Sequence, residues 1–514
     1  MGEEFLRLKR NIINWYPFKE NSSVLEIWEG IIVEENNESA AYDYVVVIGL
    51  GEKNINQLIE YANKKLKPEG TLLIAIDNKL GIENLCVENT KKSNKISRKA
   101  LEKMLDSYEY KNRKFYYPMP NYKVTNVIFT DEFLPNFETI NRSLPLYDDN
   151  VLVALEEKSR FQALIEEDVE LFKNFANSFM VECKKSTLDE NNIHFVSYAN
   201  IRKPEYRIQT IIKADNVYKS NNDEIARAHI EDIKNNINIL KTCNIKTIDT
   251  YDENQIISKY QNTELLLDKV IINKLENGQK EQAIDIIVKF QNELLEKIEK
   301  SQETTNCFDK YNIEYSREDI SKLHFIKNGL WDLIFQNCFY IENEFCFYDQ
   351  EWLEENIPVE FIMYRAIKYC DKISNYITKE ELYKKLNINE KIIDIFEKLD
   401  NELQNQIRNE IIWRCLTEKD IRNILSKTNK LEQENIHLNA VVTQYSDHIK
   451  NLENGMEEAK RIIDGQSTTI AQQNTRISEQ DNQINLIVNS KSWKITKPLR
   501  SAIKIIKGDT DIKE

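Results

Sequence analysis

Asp332, Asn337 and Asp349 are the residues whose types and spacing best suit chemistry. The Asn follows the first Asp by five positions, and the second Asp follows the Asn by twelve. Phosphoryl transfer needs one carboxylate to orient an attacking hydroxyl. It also needs an amide oxygen and a second carboxylate to hold Mg²⁺ on the phosphates. Between Asn337 and Asp349 lie two short apolar runs, split by the turn-like Ile341-Glu342-Asn343-Glu344. The spacing therefore predicts a kinase-like catalytic loop, a β-hairpin and a metal-binding loop in succession. Asp332 is the expected base, and Asn337 and Asp349 are the expected Mg²⁺ ligands. Taken singly, each is also a common capping or turn residue.

Those three groups need an upper lobe to deliver a nucleotide. Asn192–Asn200, Tyr206–Ala214 and Asn216–Lys219 read as three consecutive strands, and residues 223–240 as a helix with Ile225, Ile230, Ile233, Ile237 and Leu240 on its apolar face. In such a lobe a lysine on the third strand bridges the ATP phosphates and pairs with a helix glutamate. Lys219 is the candidate lysine, and Glu224 or Glu231 its partner, with Glu231 taken into the cofactor site. The first hairpin reads Asn200-Ile-Arg-Lys-Pro204 and has no glycine, so phosphates must meet side chains or a differently shaped turn.

Upstream, Ser23–Ile27, Tyr42–Gly49 and Thr71–Asp77 read as buried strands. A helix over residues 54–66 separates the last two, which suggests a parallel α/β sheet. Phe115 to Pro120 and Val124 to Thr130 read as a closing hairpin. Downstream, residues 426–489 carry heptads. One core position reads Asn435, Val442, Ile449, Met456, Ile463, Ile470, Ile477 and Ile484; the other runs from Leu431 to Ile487 with glutamines at 466, 473 and 480. This predicts a self-associating coiled coil, with the Ile/Gln pattern favouring a trimer over a dimer. The tail, 490–514, is basic and amphipathic around Trp493, Ile495, Leu499 and Ile503, which suits an anionic membrane surface or a protein partner.

Composition bounds these readings. The chain has 514 residues, 30% charged and 41% apolar, enough for two or three domains with ordinary cores. A net charge of −15 argues against nucleic acid as a partner. No apolar run is long enough to span a bilayer and the start lacks a signal-peptide pattern, so the expected location is cytoplasmic, with peripheral attachment at the inner face of the cell membrane. Eight scattered cysteines and five histidines give no zinc or disulfide pattern.

Two sets of strings carry a family resemblance. W-Y-P-F-K-E-N-S-S-V-L-E-I, Y-D-Y-V-V-V-I-G, L-K-P-E-G-T-L-L-I-A-I-D-N-K-L-G and F-Y-Y-P-M-P-N-Y-K, all within residues 1–155, resemble a class I S-adenosylmethionine-dependent methyltransferase domain from bacterial surface-polysaccharide clusters. N-S-F-M-V-E, R-K-P-E-Y-R-I-Q-T, F-Y-D-Q-E-W and I-P-V-E-F-I-M-Y-R-A-I, within residues 156–425, resemble the kinase-like domain that follows it. S-W-K-I-T-K-P-L-R resembles tails of glycosyltransferases and companion proteins from such clusters. The order resembles the O-antigen chain-terminating methyltransferase–kinase family. The resemblance implies a truncated Rossmann-like domain, then an α+β protein-kinase-like domain, then a long α-helical coiled coil. It also implies a glycan acceptor, Mg²⁺ and ATP as cofactors, and a tail that engages glycosyltransferases. Arg365 is expected to pair with an acid of the lower lobe.

Departures from the family modify the expectation. Trp28 stands where the family has the first glycine of the cofactor turn, and only eleven residues separate Gly30 from Tyr42, which leaves no room for the strand with the ribose-binding acid. S-adenosylmethionine is therefore not expected to bind. The string Gln261-Asn-Thr-Glu-Leu265 also lacks the glycine the kinase-like family has there. Phosphorylation of a glycan end and simple glycan binding both stay open, beside a non-catalytic scaffold for glycosyltransferases.

Overall fold

The computed structural model describes residues 2–33, 41–51, 53–86, 95–143, 151–303, 305–409 and 418–506. Residues 1–415 form one compact unit and residues 416–514 another.

A twelve-stranded sheet runs through the first unit. Its strands are β1 (Val24–Trp28), β2 (Ile31–Ile32), β3 (Tyr42–Ile48), β4 (Leu66–Asp77), β5 (Asn112–Asn121), β6 (Val124–Thr130), β7 (Ser178–Lys184), β8 (Ile193–Tyr198), β9 (Ile208–Lys213), β10 (Asn216–Asn221), β11 (Asp249–Tyr251) and β12 (Ile256–Lys259). The order is β11-β12-β10-β9-β8-β6-β5-β7-β4-β3-β1-β2. β1, β3 and β4 pair in parallel, as buried Val/Ile/Leu runs covered on both faces tend to. The rest is antiparallel.

Two features of this sheet were not legible as such. β7 lies between β4 and β5 and pairs with neither of its chain neighbours, β6 and β8, and the position of the 155/156 division falls inside the helix Val151–Asp168. The two expected segments also share the sheet: β6 pairs with β8 through Val127–Ser197 and Ile128–Val196, and Thr130 Oγ1 donates to His194 O at 2.7 Å. Pairing removes the open edges that both β6 and β8 would otherwise present.

The ends of parallel strands are where an open α/β sheet takes its ligand. Here the chain leaves β1 in a two-residue turn, Glu29 (φ 48°) and Gly30 (φ 75°), and returns as β2, with Trp28 paired to Ile31. Glu29 then lies against the loop after β3. A Cβ on Gly49 would sit 2.6 Å from the Glu29 carboxylate, and one on Gly51 2.1 Å from Glu29 O. The Trp28 indole turns aside and donates to Glu26 Oε2 at 2.9 Å. Gly51 also has φ 56°. Gly51→Ala is expected to destabilise the unit by about 1–3 kcal/mol through that overlap and the left-handed backbone, read as a lower denaturant midpoint at unchanged m.

Beyond the sheet, the helix Arg227–Thr242 buries His229, Ile230, Ile233, Asn236 and Ile237. The lower lobe is helical around two small ladders: β13 (Phe325–Leu330) with β16 (Leu353–Pro358), and β14 (Cys338–Ile341) with β15 (Glu344–Phe347). The expected hairpin is thus present, turned by Glu342 (φ 52°) and Asn343 (φ 65°). Phe290 packs edge-on against Phe335 and Phe345, anchoring the hairpin to the core.

The second unit begins with the helix Glu418–Asn489, 72 residues long, followed by the helices Lys491–Ile495 and Lys497–Ile506. Val442, Ile449, Met456, Ile463, Ile470, Ile477 and Ile484 are all exposed along the long helix. Residues 507–514 of the expected tail lie outside the described residues. Among the described residues, no helix is long and apolar enough to cross a membrane.

Candidate active site

The loop after β13 delivers Asp332, the short turn Phe335–Asn337 delivers Asn337, and the segment after β15 delivers Asp349. Backbone-directed bonds hold the three together. Asn337 Nδ2 donates to Asp332 O at 3.2 Å, the fully buried Gln350 donates through Nε2 to the same oxygen at 3.0 Å, and Tyr348 N donates to Asn337 O at 3.1 Å. Asn337 thus spends its NH₂ on the backbone and leaves its amide oxygen available as an acceptor. Asp349 sits at φ 60°, a left-handed conformation rare for a residue with a side chain and common at functional sites. Its N–H is held by Asp249 Oδ2 at 2.8 Å, and Ser258 holds the other oxygen of Asp249 at 2.5 Å.

Lys219, on β10, donates to Asp349 Oδ1 and, at 3.3 Å, to Glu351 Oε1. The structure therefore brings four of the five expected site residues together. It corrects the fifth. Glu231 lies on the solvent side of its helix and accepts from Lys234, three residues on, at 2.7 Å. Glu224 pairs with Arg227. Lys219 pairs with Glu351 instead. The inward-facing helix position is His229, whose Nε2 lies 3.3 Å from Glu351 Oε2 and whose ring stacks on Trp352 at 4.5 Å.

Glu351, 4% exposed, also receives Arg202 from the first hairpin. Burial raises its pKa, but Arg202, Lys219 and His229 outweigh that and hold the carboxyl well below its usual range. Asp332 is perturbed the other way. Burial raises its pKa, and Arg365, whose Nη2 donates to Asp332 Oδ1 at 3.0 Å, only partly offsets the rise. Arg365 pairs with Asp400 of the lower lobe, as its position suggested, and its Nε donates to Trp331 O at 3.1 Å. Its second ion pair, with Asp332, makes it the group that orients the candidate base.

Asn337, Tyr348 and Asp349 open onto a cleft of about 750 Å³, which Glu264, Asp268 and Lys269 also line. The volume suits a ligand of nucleotide size.

Sequence reasoning missed Arg202, His229, Asp249 and Glu351. Glu351 left one signal, an acid two residues past Asp349 and next to a tryptophan. The other three are single residues in ordinary strand, loop and helix patterns.

Neither a family model nor a curated protein matches the chain. Among solved structures, the chain is similar to an ethanolamine kinase of Plasmodium vivax, at 14% identity over 41% of this chain and 72% of that one, with a TM-score of 0.19. A likeness that loose decides nothing about the site.

Proposed function

We propose that the first unit is a phosphotransferase of bacterial cell-surface polysaccharide assembly, moving a phosphoryl group from Mg²⁺-ATP to a hydroxyl at a glycan end. The observation that carries the reading is that Asn337 and Asp349 line one cleft, with Lys219 bonded to Asp349 and the Asp332 backbone bonded to Asn337. The donor set fits the cofactor, since two oxygen ligands of hard type face the cleft beside a lysine. Asn337 and Asp349 would hold Mg²⁺ and Lys219 the phosphates; bound ATP supplies the transferable group. Asp332, oriented by Arg365, accepts the acceptor hydroxyl's proton. The acceptor class rests on the resemblance to the O-antigen chain-terminating family. Incubating the protein with radiolabelled ATP and extracted surface polysaccharide tests it. Label in the polysaccharide is the expected result, and label released only as free phosphate would refute the acceptor.

Methylation is not part of this proposal. The turn through Glu29 and the contact of Glu29 with Gly49 fill the ends of β1 and β3, which does not fit S-adenosylmethionine.

A second reading is favoured by the exposed apolar row on the long helix. In it, the chain is an oligomeric scaffold that holds glycosyltransferases at a membrane through its basic tail. An uncovered row of that length favours self-association, as a trimer or a dimer. Light scattering should find an oligomer for the wild type and a monomer for Ile463→Asp/Ile470→Asp. A monomeric wild type would refute this assembly.

A further inference from the structure

We propose that Arg202 binds the nucleotide's phosphates, doing with a side chain what a glycine-rich loop does with its backbone. This rests on the phosphotransferase reading and adds a ligand contact to it.

The turn between β8 and β9 lies where an upper lobe covers the phosphates, and it contains no glycine. Its amides cannot fold closely around an anion. Instead the turn is held rigid. Lys203 N donates to Ile407 O at 2.8 Å, and Asn409 N donates to Ile201 O at 2.9 Å, so the end of the helix Glu390–Ile407 and the two residues after it clip both sides of Arg202. Arg207 Nε donates to Arg202 O at 3.0 Å, fixing the residue from within the turn.

From this frame the Arg202 side chain reaches the site. Nη1 meets Glu351 Oε2, and the guanidinium lies 5.3 Å from the Trp352 ring centre. Lys219 reaches the other oxygen of the same carboxylate from β10. Two cations from neighbouring hairpins therefore converge two residues past Asp349. Arg202 Nε and Nη2 make no hydrogen bond among the described residues, and the side chain is 23% exposed. That edge of the guanidinium offers two donors in one plane, a geometry that matches two phosphate oxygens. Glu351 balances both cations and keeps them apart. It is a positioning residue.

The test is calorimetric titration of the full chain with Mg²⁺-ATP and, separately, with adenosine. Arg202→Ala should lose about 10- to 100-fold in Mg²⁺-ATP affinity, the worth of charge-assisted hydrogen bonds, and keep its adenosine affinity. Arg202→Lys retains a cation for Glu351, so it serves where the alanine variant does not fold. Its Mg²⁺-ATP affinity should fall several-fold with adenosine again unchanged. Equal losses for both ligands, or none, would overturn the inference while leaving the phosphotransferase reading intact. A wild type that binds adenosine but not Mg²⁺-ATP would overturn that reading itself.

Discussion

Asp332→Asn is expected to lower phosphoryl transfer about 10²- to 10⁴-fold, the usual contribution of a positioned general base, without changing Mg²⁺-ATP affinity. Asparagine preserves the shape and can still accept from Arg365 Nη2, which now meets Asp332 Oδ1 at 3.0 Å. It cannot take a proton. The pH profile gives a second reading of the same claim. Burial raises the Asp332 pKa, and the Arg365 charge offsets this only in part. The base works ionised, so the wild-type rate should fall with decreasing pH through a pKa above the ordinary Asp value of about 3.9. The variant's residual rate should lack that acid limb. An asparagine variant that turns over at the wild-type rate would remove Asp332 from the chemistry.

Glu351→Ala should have the largest effect on stability. The carboxylate is buried and meets Arg202, Lys219 and His229. Deleting it strands three basic groups around a cavity, and breaking a buried ion pair from one side costs about 3–5 kcal/mol. Glu351→Gln fills the space and keeps part of the hydrogen bonding, so it should cost less. The sign of the pH effect follows from the depressed pKa. Burial opposes ionisation, yet Arg202, Lys219 and His229 favour it more, so the folded pKa lies below the unfolded one. The stabilisation is therefore fully present above the unfolded value of about 4.3 and lost as pH falls through the folded value. Urea midpoints should show an acid-side drop in the wild type that Glu351→Gln reduces. A flat difference between the two proteins from neutrality to strong acid would contradict the assignment.

The legible parts of this chain are those written in local pattern. β1, β3 and β4 are short apolar runs between turn residues, and β14 and β15 flank a two-residue turn at Glu342 and Asn343, so period and punctuation suffice. The proximity of Asp332, Asn337 and Asp349 was legible because their spacing is short and fixed by one hairpin. The approach of Lys219 to Asp349 was legible from its place on the third of three consecutive strands. The long-range pairings were not. β7 reaches between β4 and β5 across more than a hundred residues of chain from β4, and nothing in S-F-M-V-E-C-K names its neighbours. Glu231 failed for a similar reason. The helix pattern allows several acids to face inward, and only the packing shows that His229 does so while Glu231 faces solvent. Arg202 and Glu351, 149 positions apart, meet only once the sheet and the lower lobe are assembled.

The central claim is that Asp349 and its neighbours form a nucleotide site, and Mg²⁺-ATP binding tests it most directly. Thermal unfolding of the full chain should shift upward with Mg²⁺-ATP, by the linkage between ligand and stability, and depend on Mg²⁺. Asp349→Ala should fold, because Lys219 retains Glu351 at 3.3 Å, and should show no shift. A wild type whose unfolding Mg²⁺-ATP leaves unchanged, or an alanine variant that shifts as far as the wild type, would contradict the account.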